Sequence, residues 1–181
     1  MEEIQNKNWH PVLITLHWLV AITVLGLFAL GWWMVDLTYY HAWYKTAPFI
    51  HKSIGLMLFL AMILRLLIRI CTTQPLTASA HAKWELWLAS KIHFILYLIV
   101  FSVVLSGYFI STADGRGISV FGLFEVPALI TPFTNQADIA GKIHWYAAWA
   151  LMVFVGLHIL GALKHHYLDK DETLKRMLGK A

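Results

Sequence analysis

Four long apolar stretches alternate with shorter polar segments along the chain, at about Val12 to Val35, Phe49 to Ile70, Ser90 to Ser111 and Ile143 to Lys164. A helix crosses the hydrocarbon layer with ~20 mostly apolar residues, so each stretch is long enough. Helices satisfy their own backbone polar groups and can therefore sit in lipid. The pattern predicts an all-α integral membrane protein, a four-transmembrane-helix bundle. It forms one membrane-embedded domain over residues 1–181, with no length left for a separate soluble domain. The first stretch follows an acidic "MEE" start and ends in "WWMVD" with no small-residue cleavage site. It is therefore expected to remain in the mature chain rather than be removed as a signal peptide.

Three connections complete the pattern: Asp36 to Pro48, Cys71 to Ala89, and a longer one from Asp114 to Ala140. Within the last, "GISVFGLFEVPALI" is expected to lie as an amphipathic segment along the membrane surface.

Composition agrees with a membrane protein: 59% of residues are hydrophobic, 14% aromatic and only 13% charged, too little polar surface to cover a soluble domain. Basic residues favour the cytoplasmic side. With both termini cytoplasmic, that side holds ten: Lys7, Arg65, Arg69, Lys83, Lys91, Lys164, Lys170, Lys175, Arg176 and Lys180. The opposite side holds four, Lys45, Lys52, Arg116 and Lys142. Trp9, Trp18, Trp84 and Trp87 then fall near the inner interface, and Trp32, Trp33, Trp43 and Trp145 near the outer one, as amphipathic indoles prefer. The net charge of +4 is concentrated in "KHHYLDKDETLKRMLGK" beside a membrane helix. Attraction to anionic membrane lipids accounts for it, and no nucleic-acid partner is implied.

Ionisable groups inside a span are costly and mark function. The chain has ten histidines. His17, His51, His93, His144 and His158 fall within or at the mouths of spans. Because the chain alternates direction, His17, His93 and His158 share the inner level and His51 and His144 the outer one. Two pairs emerge, His17 with His158 and His51 with His144. His144 and His158 are fourteen residues apart, ~21 Å along a helix and ~40° around it. The same step leads from His17 to Gly31, from His51 to Arg65 and from His93 to Gly107. Glycine would leave room for a large planar ligand near the backbone. Arg65, at the inner level, could form charge-assisted bonds to a propionate.

Two imidazoles at each of two levels suit two haems, each iron held between neutral histidines as a b-type centre. A CxxCH motif is absent and the single cysteine is Cys71, so any haem is non-covalent haem b. Zinc usually takes three or four ligands, and no carboxylate lies inside the expected spans. Histidines satisfied by neighbouring helices, or lining a proton path, remain as other readings.

The chain resembles the bacterial cytochrome b-561 family over nearly its whole length. The resemblance is carried by "LHWLV", by "IHKSIG" with "LRLLIR", by "HFILYL" with "LSG", by "VFGLFEVP", and above all by "KIHW" and "GLHILGALKHHYLDKDETLKRM". It implies a multi-pass cytochrome b of the bacterial inner membrane with His17, His51, His144 and His158 as axial ligands. It further implies electron transfer to or from ubiquinone or ubiquinol, and in one branch oxidation of superoxide on the periplasmic face. The outer segments here balance Lys45, Lys52, Arg116 and Lys142 against Asp36, Asp114, Glu125 and Asp138, so no strong funnel for a small anion is evident. A non-catalytic anchor subunit docking a periplasmic redox partner is the alternative function, and a histidine-lined metal or proton transporter a more distant one.

Lesser candidates are His93, for a propionate or quinone carbonyl, and Lys164, His165 and His166, for a propionate or for passing protons to quinone. Lys83 is a candidate contact to a quinone headgroup. His10, His41 and His81 carry no expected role, and nothing near Cys71 argues for reactivity.

Overall fold

The computed structural model describes residues 9–73 and 83–180, without the side chains of residues 83–86 and 88–90. Lys7, His81 and the side chains of Lys83 and Trp84 lie outside this set. Four long helices form the body: α1 (Pro11–Met34), α2 (Thr46–Cys71), α3 (Lys83–Ser111) and α4 (Gln136–Tyr167). Each contains a stretch long and apolar enough to cross a membrane. Their outer faces expose large apolar side chains such as Ile22, Leu64, Leu98, Val153 and Leu160. Such a surface fits lipid rather than water.

α1 starts after His10, whose Nδ1 accepts a hydrogen bond from Val12 N, with Pro11 in the first turn where its missing N–H is harmless. α4 starts at Gln136, well before the apolar run at Ile143. Buried Gln136 donates from Nε2 to Phe109 O at the end of α3, so a polar residue clamps two helix ends together. At 32 residues α4 is ~48 Å long, more than a ~30 Å hydrocarbon layer, and projects beyond the membrane.

The expected surface segment after α3 is instead a β-hairpin, β1 (Ile118–Val120) paired antiparallel with β2 (Phe124–Val126). The reversal runs through Phe121 and Gly122, both at positive φ as tight hairpins require. Alternation buries Ile118 and Val120 and exposes Ser119, so β1 packs on α2. Fully buried Ser53 of α2 joins them: its Oγ accepts from Phe121 N at 3.1 Å and lies 3.5 Å from Ser119 O. Tyr108 of α3 braces the following segment, donating to Pro127 O and accepting from Leu129 N. A short helix α5 (Thr173–Met177) returns to the other end of the bundle, where Trp18 Nε1 donates to Met177 O at 2.8 Å. The bundle thus has a hairpin end and a terminal end.

The central core comprises Val24, Leu58, Met62, Val100 and Leu151, drawn from all four helices. Four of these residues stand seven positions after a histidine: Val24 after His17, Leu58 after His51, Val100 after His93 and Leu151 after His144. Seven residues make nearly two helical turns, so histidine and core residue share a face. α3 packs extensively on α4 and α1 on α2, whereas α1 and α4 scarcely approach one another. Their separation leaves side chains, rather than backbone, to bridge that side of the bundle.

Replacing Ser53 with the similarly sized Val leaves the Phe121 N–H without its partner. Ser53→Val is expected to cost about 1–3 kcal/mol, read as a lower midpoint of thermal unfolding in detergent. An unchanged midpoint would count against Ser53 as the hairpin's anchor.

Candidate haem site

Two histidine pairs occupy the two ends of the bundle. At the terminal end, the rings of His17 on α1 and His158 on α4 have centroids 6.1 Å apart and planes inclined at 77°. At the hairpin end, His51 on α2 and His144 on α4 are 6.2 Å apart, inclined at 70°. A metal–imidazole bond of about 2.0–2.1 Å, with a ring nitrogen about 1.1 Å from its centroid, puts two trans imidazoles about 6.3 Å apart. Both pairs have the separation that one intervening metal ion requires.

His93 of α3 also reaches the terminal level, with its ring 5.1 Å from that of His158. That is more than an ångström below the trans spacing, which the His17–His158 separation matches. Among the described residues, no three His, Cys, Asp or Glu side chains converge to hold one metal ion. Two facing imidazoles suit a macrocycle that supplies four equatorial ligands itself better than zinc, which usually takes three or four protein ligands.

The hairpin-end pair shows how its rings are oriented. His144 Nδ1 lies 2.8 Å from Val103 O and 3.3 Å from Ser106 Oγ. A carbonyl oxygen only accepts, so Nδ1 carries the proton and Nε2 keeps its lone pair, the tautomer a metal needs. The Ser106 hydroxyl points back to Ser102 O and Val103 O. Ser106 had no individual role in the sequence reading, yet it belongs to the "LSG" run of α3. His51 Nδ1 is buried and has no hydrogen-bond partner among the described residues. A bound polar group or metal would satisfy such a nitrogen.

Two of the glycines lie against histidine rings. A Cβ on Gly31 would stand 3.1 Å from His51 Cε1, and one on Gly107 would stand 3.2 Å from His144 Cε1. These glycines admit the histidine rings directly, each beside a helix other than the ring's own. Gly55, in contrast, faces open space.

Arg65 lies at the terminal level. Its Nε donates to Tyr97 OH on α3 at 3.0 Å, and its Nη1 donates to Leu13 O on α1 at 2.9 Å. The guanidinium thus braces three helices around the His17–His158 pair. Arg69 adds a cation over the Tyr97 ring, 5.9 Å from its centroid. His41 has a local role, accepting from Trp43 N. Cys71 is exposed at the end of α2. On the loop after α3, Asp114 accepts from Arg116 Nε at 2.7 Å, and this hydrogen bond holds its carboxyl below the usual range.

The family model for prokaryotic cytochrome b561 matches residues 8–180. Cytochrome b561 homolog 2 of Escherichia coli strain K12 is 49% identical over 165 residues, covering 91% of this chain and 88% of the relative. A protein of Yersinia pestis named probable superoxide oxidase CybB is 30% identical over 180 residues, 97% of this chain and 98% of its own. Cytochrome b561 homolog 1 of the same E. coli strain is 29% identical over 171 residues, with 91% and 93% covered. A match over almost the entire length, joined to four membrane helices, makes this chain a member of the prokaryotic cytochrome b561 family, the haem-binding electron-transport proteins of the bacterial inner membrane.

Proposed function

We propose that the protein is a dihaem b-type cytochrome that carries electrons across the inner membrane between a donor at the hairpin face and ubiquinone. The observation that carries this reading is the pair of ring separations, 6.1 and 6.2 Å, at two levels of one bundle. His17 and His158 hold one haem and His51 and His144 the other. Haem with both axial positions filled supplies one-electron transfer and offers no open site for substrate at iron. α4 contributes one ligand to each level and so fixes their distance, ~21 Å along its axis for a fourteen-residue step. Val103 O orients the His144 ring, Gly31 and Gly107 admit the hairpin-end rings, and Arg65 ties the terminal level together. The ten-to-four distribution of basic residues supports a cytoplasmic terminal end and a periplasmic hairpin end.

Superoxide is the specific periplasmic donor to test, because the relative from Yersinia pestis bears the name probable superoxide oxidase at 30% identity. The periplasmic field does not favour it strongly, since Arg116 is spent on Asp114.

Stopped-flow mixing of the anaerobically reduced protein with a short-chain ubiquinone is expected to oxidise it within the mixing experiment. Superoxide supplied to the oxidised protein is expected to reduce it. Reduced protein that stays reduced with quinone in excess would exclude the quinone link. Oxidised protein indifferent to superoxide would leave another periplasmic donor.

The purified protein is expected to contain two haems per chain by pyridine haemochrome assay. His51→Ala and His144→Ala should each leave one haem with the same remaining α-band, and His17→Ala and His158→Ala should leave the other. Loss following any other grouping would break the pairing.

Gly107→Val places a branched side chain against the His144 ring. It is expected to lower haem content from two per chain towards one, while the centre lost in His17→Ala keeps its α-band. Two full haems in this variant would show that the close approach is not needed.

A further inference from the structure

The hairpin after α3 carries apolar side chains that the bundle leaves uncovered. At its turn Phe121 is 45% exposed, Leu123 81% and Phe124 51%, whereas Ile118 and Val120 on β1 are buried. Leu129 and Ile130, in the chain leaving β2, are exposed as well. No charged residue lies between Arg116 and Glu125. Charge sits instead at the base of the hairpin, where Asp114 and Arg116 form an exposed pair, and on its flank, where Glu125 stands opposite Ser119.

Residue counts along the helices fix the depth of this turn. His51 and His144 face one another and share a level, and Gly31 and Gly107 lie against their rings. Trp32 and Trp145 directly follow Gly31 and His144 in the chain, so the level coincides with indoles of the kind that mark a membrane boundary. α3 ends at Ser111, four residues and ~6 Å outward of Gly107, and Asp114 and Arg116 lie past that end. Ser53, whose Oγ accepts from Phe121 N, lies two residues and ~3 Å inward of His51. After α3 the chain therefore turns back and carries its apolar turn down to the indole level. There the Phe121 ring stands 6.5 Å from that of Phe49, in the first turn of α2.

The side of α2 that the turn occupies is fixed in the same way. Two residues rotate a side chain ~200° around a helix, so Ser53 faces away from His51 and from Leu58 of the core. Farther along α2 the same outward side exposes Leu60, Leu64 and Leu67. The turn thus continues a stripe that faces lipid.

We propose that the hairpin dips turn-first into the membrane leaflet at its end of the bundle. Phe121, Leu123 and Phe124 lodge where lipid headgroups meet acyl chains, and the Asp114–Arg116 base stays in water. Apolar side chains at such a boundary bury themselves ~5–10 Å deep. Lipid is the occupant because the turn lies at the indole level and prolongs the lipid-facing side of α2, whereas a soluble partner would meet the charged base first. A segment lying flat on the surface would instead hold base and turn at one depth. Ser53 gains a reason for its position on the outward side of α2. It satisfies the Phe121 N–H where water does not reach.

The test uses haem-loaded protein carrying Cys71→Ser and one new cysteine, Leu123→Cys, Phe124→Cys, Arg116→Cys or Val153→Cys, each bearing a nitroxide. The protein is placed in vesicles of phosphatidylethanolamine and phosphatidylglycerol. Power-saturation EPR then measures collisions with oxygen, which concentrates in lipid, and with a water-soluble nickel chelate present on both sides. Each is read against nitrogen, so relaxation caused by haem is common to all. At Leu123 and Phe124 the oxygen-to-chelate ratio is expected to be severalfold above that at Arg116 and to approach that at Val153, an exposed apolar position of α4. Chelate collisions at both turn positions as frequent as at Arg116 would put the turn in water and overturn the proposal. Shielding from both probes would show a protein cover, such as a second copy of this chain, and overturn it equally. A ratio at Arg116 as high as at Leu123 would restore the flat-lying segment.

Discussion

An imidazole buried in hydrocarbon must find a partner, and that constraint organises the whole bundle. Each of the four helices turns one stripe inwards, and the stripe repeats at seven-residue steps. On α1 it reads His17, Val24, Gly31, on α2 His51, Leu58, Arg65, on α3 His93, Val100, Gly107, and on α4 His144, Leu151, His158. The apolar middle members meet as one core layer. The polar or small outer members gather above and below it. The packing that holds the helices together and the chemistry they carry therefore lie on the same faces at different depths.

The two ends of these stripes are built differently. At the hairpin end, glycines on α1 and α3 let the His51 and His144 rings press against neighbouring helices, and a backbone carbonyl fixes one ring. Close packing does the orienting there. At the terminal end a guanidinium, a tyrosine and a third histidine surround the His17–His158 pair. There Arg65 ties α1, α2 and α3 together through Leu13 O and Tyr97 OH. A ligand held by both His17 and His158 would add a link between α1 and α4, which already meet through Phe28, Trp32 and Trp149.

Orientation in the membrane links these ends to function. The hairpin end presents a small β-structure and a balanced set of charges. The terminal end carries Lys164, His165 and Asp169 beyond a level of imidazoles. Membership of the prokaryotic cytochrome b561 family establishes the haem-based electron transport that such an arrangement serves.

The apolar runs by themselves determined that four helices enter the membrane, because no other structure satisfies so much backbone in lipid. Alternating chain direction likewise sorted the histidines into two levels, since depth follows from residue count along a helix. Which neighbour each side chain meets was decided only in three dimensions. Gly31 and Gly107 were legible as missing bulk, but not as the seats of His51 and His144, because that depends on helix rotation. How closely His17 and His93 each approach His158 is a matter of ring separation, which no spacing along the chain encodes. The hairpin was hidden because "SVFGLFEVP" is apolar enough to pass for a surface-lying segment. Only the buried Ser53 on α2, with the positive φ of Phe121 and Gly122, turns it into paired strands. Composition and periodicity fix what must be hidden from water and how deep it lies, while contacts between residues distant in sequence fix which groups face one another.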